Sequence, residues 1–558
     1  MKFSMRSILM AVILMTPAWL RAQDEVDLKP VTRTYAITNV NIIQGPGRKI
    51  EMGTILLKDG LIVNAGKGIT IPSDAVVIKA DSMYAYAGFI DGLTRAGVTK
   101  PKEEQREKVK DPGNPTPERA GITPQTDVRA FLNPADKSLE ELRNLGFTTV
   151  QVVPYGNFLP GQSAIVNTAG SSGDAMVLIN KASLYSEFTP AQGVYPATVL
   201  GVMSKYRDLY RQAMQAKSYE ALYASNRNGL ERPANDKTLE AFYSVIDQRA
   251  PVLFRTERLL DANRAMTLKN DLGFSLVLAD LKDGWPLINK VKSSGARVFL
   301  SLDLPEELKK DNKKDAKDSK ASTPAQVEKE ALDKRKAEAI ANYTAQAAAF
   351  QKAGVPFGFT SMSAKSKDIH ANLRRMIAAG LSEDAALAAL TTTPAQMLGL
   401  SDRMGTIDNG KMANLVISDK PYFNEKAKVR YVFVDGVLYK MEVKETKKSD
   451  PNAKVEIEGS WSTVTQGSQG SSDGKVVFKK DGTGYSGTVS GGRLTSPVDL
   501  QSVSLDGNSL TYSYTVTFGS NSIKIDVEVT VEGDSFKGTS TAGRFGSSSI
   551  EGTREPKK

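Results

Sequence analysis

A long alternation of buried strands and amphipathic helices sets the fold class of this chain. Apolar runs typical of buried strands recur between residues 85 and 361, and segments with a helical spacing of apolar residues separate them. Parallel strands need such crossover helices, so the alternation predicts an α/β domain with a parallel sheet, either a barrel or an open sheet. The predicted strands are Ala85–Leu93, Thr148–Pro154, Val252–Glu257, Ser275–Asp280, Arg297–Leu302 and Val355–Ser361.

Short alternating strands flank this region on both sides. Residues 34–80 show strand patterns separated by Lys-Asp-Gly and Gly-Lys-Gly turns, and residues 405–439 return to the same pattern. A helix pair is predicted over Asp368–Leu400, because Gly380 can end a first helix and Ser382 can begin a second.

A separate β domain is predicted at the C-terminus, residues 454–558, after a polar linker at 444–453. Eight strand-length runs with tight turns favour a small closed or nearly closed antiparallel barrel, or a sandwich. The words "IEGSW" and "IEGTRE" at its two ends resemble those that plug one end of lipocalin-like or avidin-like barrels. The simpler interpretation is that Trp461 is a core residue. We expect this domain to contribute attachment and not chemistry.

The first 22 residues have the pattern of a secretory signal peptide. Lys2 and Arg6 precede the apolar run "ILMAVILM", which is too short to span a bilayer, and a small-residue cleavage site ends at Ala22. The chain has no cysteine, which excludes disulfides and a lipid anchor on an N-terminal cysteine. No later stretch is apolar enough for a transmembrane helix. We therefore expect an exported protein, periplasmic or secreted.

The positive charge of the chain does not indicate nucleic-acid binding. The formal net charge is +10, and much of the lysine lies in two runs at residues 99–112 and 308–322. Acidic residues alternate with the basic ones there, and no aromatic platform accompanies them. Both runs are typical of solvated insertions.

Seven words of the sequence occur in the order typical of one enzyme family. They are "GFIDGLT", "LGFTTVQVVPYGNFLPGQSAIVNTAG", "PVLFRTER", "LVLADLKDGW", "AGVPFGFTS", "AAGLSEDAALAALTTTPAQMLGLSDRMGTIDNGKMANLVISD" and "VFVDGVLY". Together they resemble imidazolonepropionase-like members of the amidohydrolase superfamily. The resemblance implies a (β/α)8-type barrel over residues 85–400. It also implies a composite β-sandwich built from residues 23–84 and 401–443.

The resemblance also implies that the metal donors of this family are replaced in this chain. In such enzymes, imidazoles and carboxylates at the strand ends hold divalent metal ions, which lower the pKa of a bound water. Leucine and methionine cannot serve as such donors, and the permanent charge of arginine repels a cation. The corresponding vestigial pocket comprises Asp91, Leu93, Arg95, Gln162, Asn167, Arg255, Thr256, Glu257, Asp280 and, for the last-strand aspartate, Ser361 or Met362.

The residue counts agree with the absence of a histidine-based metal site. The chain has one histidine, His370, beside the apolar face of a predicted helix, where an exposed or capped side chain is the simpler interpretation. No cysteine can replace it. A carboxylate-only site formed by Asp91, Glu257 and Asp280 stays open as an alternative, and it would favour calcium or magnesium. We predict no cofactor, with a divalent metal as the alternative.

Arg95 and Arg255 have two interpretations. They can pair with Glu257 and Asp280 as internal salt bridges that fill the pocket, which we favour. Alternatively, they can form a basic cavity for a carboxylate or a phosphate. No nucleophile elbow, Walker word or dinucleotide fingerprint offers other chemistry.

The favoured hypothesis is an exported, amidohydrolase-like pseudoenzyme that acts as a binding or structural partner. Its partner would be an active amidohydrolase paralogue or a second copy of the chain. The alternatives are an active metal-dependent hydrolase of carbon-nitrogen bonds and a periplasmic binding module for an anionic ligand.

Overall fold

A computed structural model describes residues 34–102, 109–307, 324–441 and, with short gaps, 455–556. The chain divides into two compact units, Met1–Met441 and Glu442–Lys558. The predicted signal peptide at 1–22 and the predicted linker at 444–453 lie outside the described residues.

The first unit begins with strands of an outer sheet. They are β1 (Tyr35–Gly45), β2 (Arg48–Lys58), β3 (Leu61–Gly66), β4 (Val76–Lys79) and β5 (Tyr84–Ala87). β1 lies between an antiparallel β2 and a parallel β5, and alternate residues of these strands point into one apolar core. The period-2 pattern of apolar residues accounts for this arrangement.

Eight strands then form a nearly closed barrel. They are β6 (Phe89–Thr94), β7 (Phe147–Val152), β8 (Gly161–Asn167), β9 (Val177–Glu187), β10 (Val252–Arg255), β11 (Leu276–Leu281), β12 (Arg297–Ser301) and β13 (Phe357–Thr360). The Thr360 hydroxyl donates to the Leu93 carbonyl oxygen at 2.5 Å, which joins the last strand to the first. β8 runs antiparallel to both neighbours, whereas the other paired strands are parallel. The barrel therefore departs from a regular (β/α)8 pattern at β8.

Helices cover the outside of the barrel. They are α1 (Lys137–Asn144), α2 (Gly173–Met176), α3 (Val199–Ser225), α4 (Lys237–Glu240), α5 (Tyr243–Ile246), α6 (Leu259–Leu272), α7 (Ile288–Ser294), α8 (Pro324–Lys352), α9 (Ser366–Ala378), α10 (Glu383–Leu390) and α11 (Thr392–Met397). Short 3-10 turns lie at Val128–Phe131 and Trp285–Leu287. In the described part of the chain, no helix is both long and apolar enough to span a bilayer.

The predicted helix pair over Asp368–Leu400 has its first helix and the break after it as predicted. The predicted second helix is two helices in the structure. Gly380 follows α9, and the Ser382 hydroxyl caps α10 by accepting from the Ala385 amide at 3.2 Å. The second half contains two helices, because the chain turns at Thr391 and begins again as α11.

The outer sheet is completed after the barrel by β14 (Leu415–Ser418), β15 (Val429–Val434) and β16 (Val437–Lys440). β14 pairs antiparallel with β5, so strands from both ends of the unit share one sheet of order β16-β15-β14-β5-β1-β2-β3, with β4 beside β1.

The predicted single strand Ala85–Leu93 is two strands in two different sheets, and Gly88 separates them. Gly88 donates its amide to the Asn414 carbonyl oxygen at 2.8 Å. A Cβ atom at this position would lie 2.1 Å from the Thr148 hydroxyl oxygen. Only glycine fits this approach, which lets the chain pass from the outer sheet into the barrel.

The second unit is a nine-stranded antiparallel sheet. Its strands are β17 (Gly459–Gly467), β18 (Gly470–Asp481), β19 (Gly484–Gly491), β20 (Val498–Asp499), β21 (Ser502–Asp506), β22 (Ser509–Phe518), β23 (Asn521–Glu532), β24 (Ser535–Thr541) and β25 (Ser547–Arg554). Residues 498–506 form two short strands, β20 and β21. Between them, Leu500 donates its amide to Gly487 and Gln501 donates to Ser513, which brings the two edges of the sheet together.

Trp461 is a core residue of the second unit, as the simpler interpretation predicts. Its side chain is fully buried, and its indole N–H donates to the Ile457 carbonyl oxygen at 2.9 Å. The Arg554 guanidinium lies over the indole at 4.6 Å and donates to the Glu458 carbonyl oxygen at 2.7 Å. The two end words of the domain thus meet at one end of the sheet.

Candidate functional site

The carboxyl ends of the parallel barrel strands bring a group of charged side chains together. Glu187 ends β9, Arg255 ends β10, Asp280 lies near the end of β11, and Arg95 follows β6. We call this end of the barrel, with these four residues, the mouth. It is the end at which catalytic groups lie in barrel enzymes.

Arg255 lies at the centre of the mouth. Its Nε is 3.1 Å from Asp280 Oδ2, its Nη1 is 3.6 Å from Glu187 Oε2, and its Nη2 contacts Glu257. Nη2 also donates to the Ser363 hydroxyl at 3.1 Å. Burial alone would lower the pKa of Arg255, but the carboxylates around it, Asp280 first, hold that pKa above its ordinary value. The guanidinium is therefore a permanent charge.

Asp280 is fully buried and satisfied by hydroxyl donors as well as by Arg255. Ser301 Oγ donates to Oδ1 at 2.7 Å, and Ser363 Oγ donates to Oδ2 at 2.5 Å. Burial raises the pKa of Asp280, whereas these donors and the arginine favour its ionised form. Its backbone has a φ of 61° at a bulge between β11 and β12, so left-handed backbone turns this carboxylate toward Arg255.

Glu187 joins the two arginines. Its carboxylate lies 3.6 Å from Arg95 Nη2 and 3.6 Å from Arg255 Nη1. Burial raises the pKa of Glu187, and the two guanidinium groups offset part of that rise. The Arg95 guanidinium also lies 4.9 Å from the centre of the Tyr155 ring. Its Nε and Nη2 atoms are buried and make no hydrogen bond within the described residues.

Lys282 extends the ion pairs toward solvent. Its Nζ lies 2.8 Å from Asp303 Oδ2 and 3.7 Å from Glu257 Oε2. Burial lowers the pKa of Lys282, but the hydrogen bond to Asp303 and the nearby carboxylates raise it overall. Glu257 therefore bridges Lys282 and Arg255 and is not free to bind a cation.

Asp91 and Ser361 form a second polar pair, which closes the barrel. The Ser361 amide donates to Asp91 Oδ1 at 3.1 Å, and the Ser361 hydroxyl donates to Oδ2. The Leu93 amide donates to Oδ1 at 3.1 Å. Burial raises the pKa of Asp91 to about 7, against these hydrogen bonds, which lower it.

Apolar side chains fill the barrel beneath the mouth. Leu93 is fully buried in one cluster with Tyr185, Leu253 and Phe299, and Met362 packs against the same cluster. A Cβ atom on Gly92 would lie 2.0 Å from Phe299 Cδ1, so the phenyl ring occupies the space beside the first barrel strand. Leu93 and Met362 are thus parts of a hydrophobic core.

The structure does not bring every predicted pocket residue to the mouth. Asn167 lies at the opposite end, where its side chain accepts from Asn414 Nδ2 at 3.4 Å, because β8 runs antiparallel. Gln162 lies at the start of β8, which is the end of this antiparallel strand nearer the mouth, and it pairs with Leu184 of β9. Thr256 is buried beside Arg255, and its hydroxyl donates to the Ala279 carbonyl oxygen at 3.4 Å.

His370 lies in α9, apart from the ion pairs of the mouth. Its Nε2 donates to the Tyr422 carbonyl oxygen at 2.6 Å, and its ring packs edge-on against the Tyr422 ring. Burial lowers the pKa of His370. The imidazole is a capped, half-buried side chain.

The sequence patterns do not predict Glu187 of the mouth, nor Ser301 and Ser363, the two serines that donate to Asp280. None of these three residues lies in the sequence segments that resemble the amidohydrolase superfamily. The alternation in "LYSE" could have indicated Glu187, because Tyr185 and Glu187 share one face of β9 and the strand ends there.

The residues at the mouth do not fit the metal site that the fold implies. Asp280 and Glu257 are each bound to Arg255, while Asp91 is bound to Ser361. In the described part of the chain, no three or more histidine, cysteine, aspartate or glutamate side chains are grouped so that they could hold a metal ion. The carboxylates here serve as partners of cations and hydroxyls belonging to the protein itself.

Comparisons with known proteins agree with the fold. Residues 281–439 match the model of the Amidohydrolase family. The crystal structure of an amidohydrolase from Thermotoga maritima MSB8 matches with a TM-score of 0.58 at 20% identity, over 73% of this chain and 100% of that one. The first unit therefore has an amidohydrolase-like α/β fold with a near-closed barrel sheet.

Two further solved structures are similar at lower scores. A prolidase complexed with N-methylphosphonate-L-proline matches at 16% identity with a TM-score of 0.42, over 73% of this chain and 99% of that one. A Xaa-Pro dipeptidase with bound methionine matches at 14% identity with a TM-score of 0.40, over 73% and 100%. No curated protein sequence matches the chain.

Proposed function

We propose that this protein is an amidohydrolase superfamily member, of the imidazolonepropionase-like branch, whose metal site has been replaced by internal ion pairs. The observation that carries the proposal is Arg255, which binds Asp280, Glu187 and Glu257 where the family resemblance expects metal donors. A cation placed there would face a permanent positive charge and would compete with it for every carboxylate. The protein acts as a binding or structural partner and not as a catalyst.

The proposed partner is a related amidohydrolase that keeps its metal ligands, or a second copy of this chain. The signal-peptide pattern at residues 1–22 supports a periplasmic or secreted setting. The second unit would supply attachment and not chemistry. Side chains such as Trp461 and Phe536 fill its core, so a partner would bind its outer surface.

Metal analysis tests the proposal. The purified mature protein is incubated separately with zinc, manganese, iron, nickel, calcium and magnesium, desalted, and analysed for bound metal. We expect well below one equivalent of each ion. One tightly bound equivalent, together with chelator-sensitive hydrolysis of cyclic amides or dipeptides, would instead establish the alternative of an active hydrolase.

A second candidate function is the binding of a small anion at the mouth. The observation in its favour is Arg95, whose buried Nε and Nη2 atoms make no hydrogen bond within the described residues. A dicarboxylate such as succinate would satisfy them. Succinate should then raise the melting temperature of the wild-type protein in a concentration-dependent way and leave that of Arg95→Gln unchanged.

A further inference from the structure

A groove of about 400 Å³ lies at the end of the barrel opposite the mouth. Arg297 begins β12 there, whereas Ser301 at the other end of the same strand reaches Asp280. The groove is lined by the start of this strand, by the segment before β13 and by α11. It is therefore separate from the mouth.

The lining combines an apolar surface with positive charge. Val291, Ala296, Val355, Pro356 and Met397 give the apolar part. Lys292 and Arg297 are its charged side chains, and no carboxylate is among the described residues that line it. A volume of several hundred cubic ångströms with a few polar groups on apolar walls is typical of a small-molecule site.

Arg297 is a half-buried cation without a carboxylate partner among the described residues. Its Nη1 donates to the Met397 carbonyl oxygen, which is its one side-chain hydrogen bond in that part of the chain. Burial lowers the pKa of Arg297, and no nearby acid offsets this effect. Nε and Nη2 remain, and this edge of a guanidinium matches the two oxygens of a carboxylate.

Lys292 adds a second donor on the same side. Its Nζ donates to the Ala353 carbonyl oxygen at 2.8 Å, which leaves the other ammonium hydrogens for a ligand. This lysine lies in the last turn of α7, where it also favours the helix dipole. A structural role explains Lys292 alone, but it explains only Nη1 of Arg297, which donates to the Met397 carbonyl oxygen at the end of α11.

We propose that this groove binds a small organic monocarboxylate with an apolar body. The carboxylate would bind the Nε and Nη2 edge of Arg297 with support from Lys292, and the apolar body would lie on the exposed Pro356 and the edges of Val355 and Met397. This site is independent of the function proposed for the mouth.

Calorimetric titration of the full mature chain with phenylacetate tests the proposal, with phenylacetamide as the neutral isostere. We expect phenylacetate to bind and phenylacetamide to bind at least about tenfold more weakly, because a charge-assisted bidentate contact is lost. Inorganic phosphate, which lacks an apolar body, should also be weaker. Equal binding of phenylacetamide or of phosphate would overturn the proposal.

Variants locate the site. Gln396→Glu places a carboxylate on an exposed lining residue, so it should weaken phenylacetate binding by about tenfold or more. Lys290→Gln changes the net charge equally from the same helix as Lys292 but outside the groove lining, and it should bind as the wild type does. If Gln396→Glu binds normally while Arg95→Gln does not, the ligand lies at the mouth and the groove proposal is wrong.

Discussion

Arg255 Nε lies 3.1 Å from Asp280 Oδ2, and the two residues lie at or near the ends of neighbouring barrel strands. Asp280 is fully buried, and the arginine side chain is 21% exposed. A charge pair with so little solvent around it costs much to desolvate, but breaking it on one side leaves the other charge stranded.

Removal of Arg255 should therefore destabilise the barrel strongly. Arg255→Met leaves Asp280 and Glu187 without their central cation, and we expect a loss of about 3–5 kcal/mol in the free energy of unfolding. Urea titration followed by circular dichroism measures it. The matched control is Arg249→Met, because Arg249 is 68% exposed and pairs with an exposed Asp247, which predicts less than about 1 kcal/mol. Equal effects of the two substitutions would contradict the central role of Arg255.

Asp91 should make stability depend on pH in the acid-to-neutral range. Its pKa is about 7 in the folded protein and 3.8 ordinarily, so the folded state keeps a proton that the unfolded chain has lost. Its contribution to stability therefore falls as pH rises from about 4 to about 7 and is constant above that, by at most about 4 kcal/mol. In Asp91→Asn this contribution is absent.

The measurement is the difference in unfolding free energy between wild type and Asp91→Asn at pH 5 and at pH 8. Other buried acids, such as Glu187, titrate in both proteins and cancel in this difference. The wild type should lose stability relative to the variant between the two pH values. A constant difference would show that Asp91 does not titrate in this range.

The packing of Phe299 predicts that Gly92 accepts no side chain. In Gly92→Ala the new methyl group would lie 2.0 Å from Phe299 Cδ1, and overpacking of this kind costs about 1–3 kcal/mol. Gly66→Ala is the control, because nothing lies within 4 Å of a Cβ atom there. Adding Phe299→Leu should recover part of the loss. No rescue would mean that a different contact limits residue 92.

Arg554 should stabilise one end of the second unit through Trp461. Arg554→Gln removes the contact with the indole ring and the hydrogen bond to Glu458, and we expect a loss of about 1–3 kcal/mol. In a Trp285→Phe background, Trp461 fluorescence in the mature chain reports this unit alone. Lys537→Gln, at an ion pair that is 71% and 61% exposed, should change the midpoint little. If Arg554→Gln and Lys537→Gln have the same unfolding midpoint, Arg554 does not stabilise this end of the sheet.

Strand and helix periodicity predicted the α/β alternation of the first unit, because both are local properties of the chain. Periodicity could not predict that Gly88 divides one apolar run between two sheets. Glycine is required there because of the Thr148 side chain, which is distant in sequence. The direction of β8 is also non-local, and with it the position of Asn167 at the far end. The pairing of Arg255 with Asp280 was predicted, whereas Glu187 and the serine donors depend on residues brought together only by barrel closure.

Because the arginines of the mouth are already paired with carboxylates, an anionic ligand can bind there only in exchange for one of those carboxylates. A ligand that reaches Arg95 or Arg255 meets a guanidinium already held by Glu187, so it must first displace a neighbour attached to the same chain. The apparent affinity is then the intrinsic affinity multiplied by the small fraction of molecules in which that neighbour has let go. Only a ligand that replaces both oxygens of the displaced carboxylate at once would restore the ion pairs that this exchange breaks.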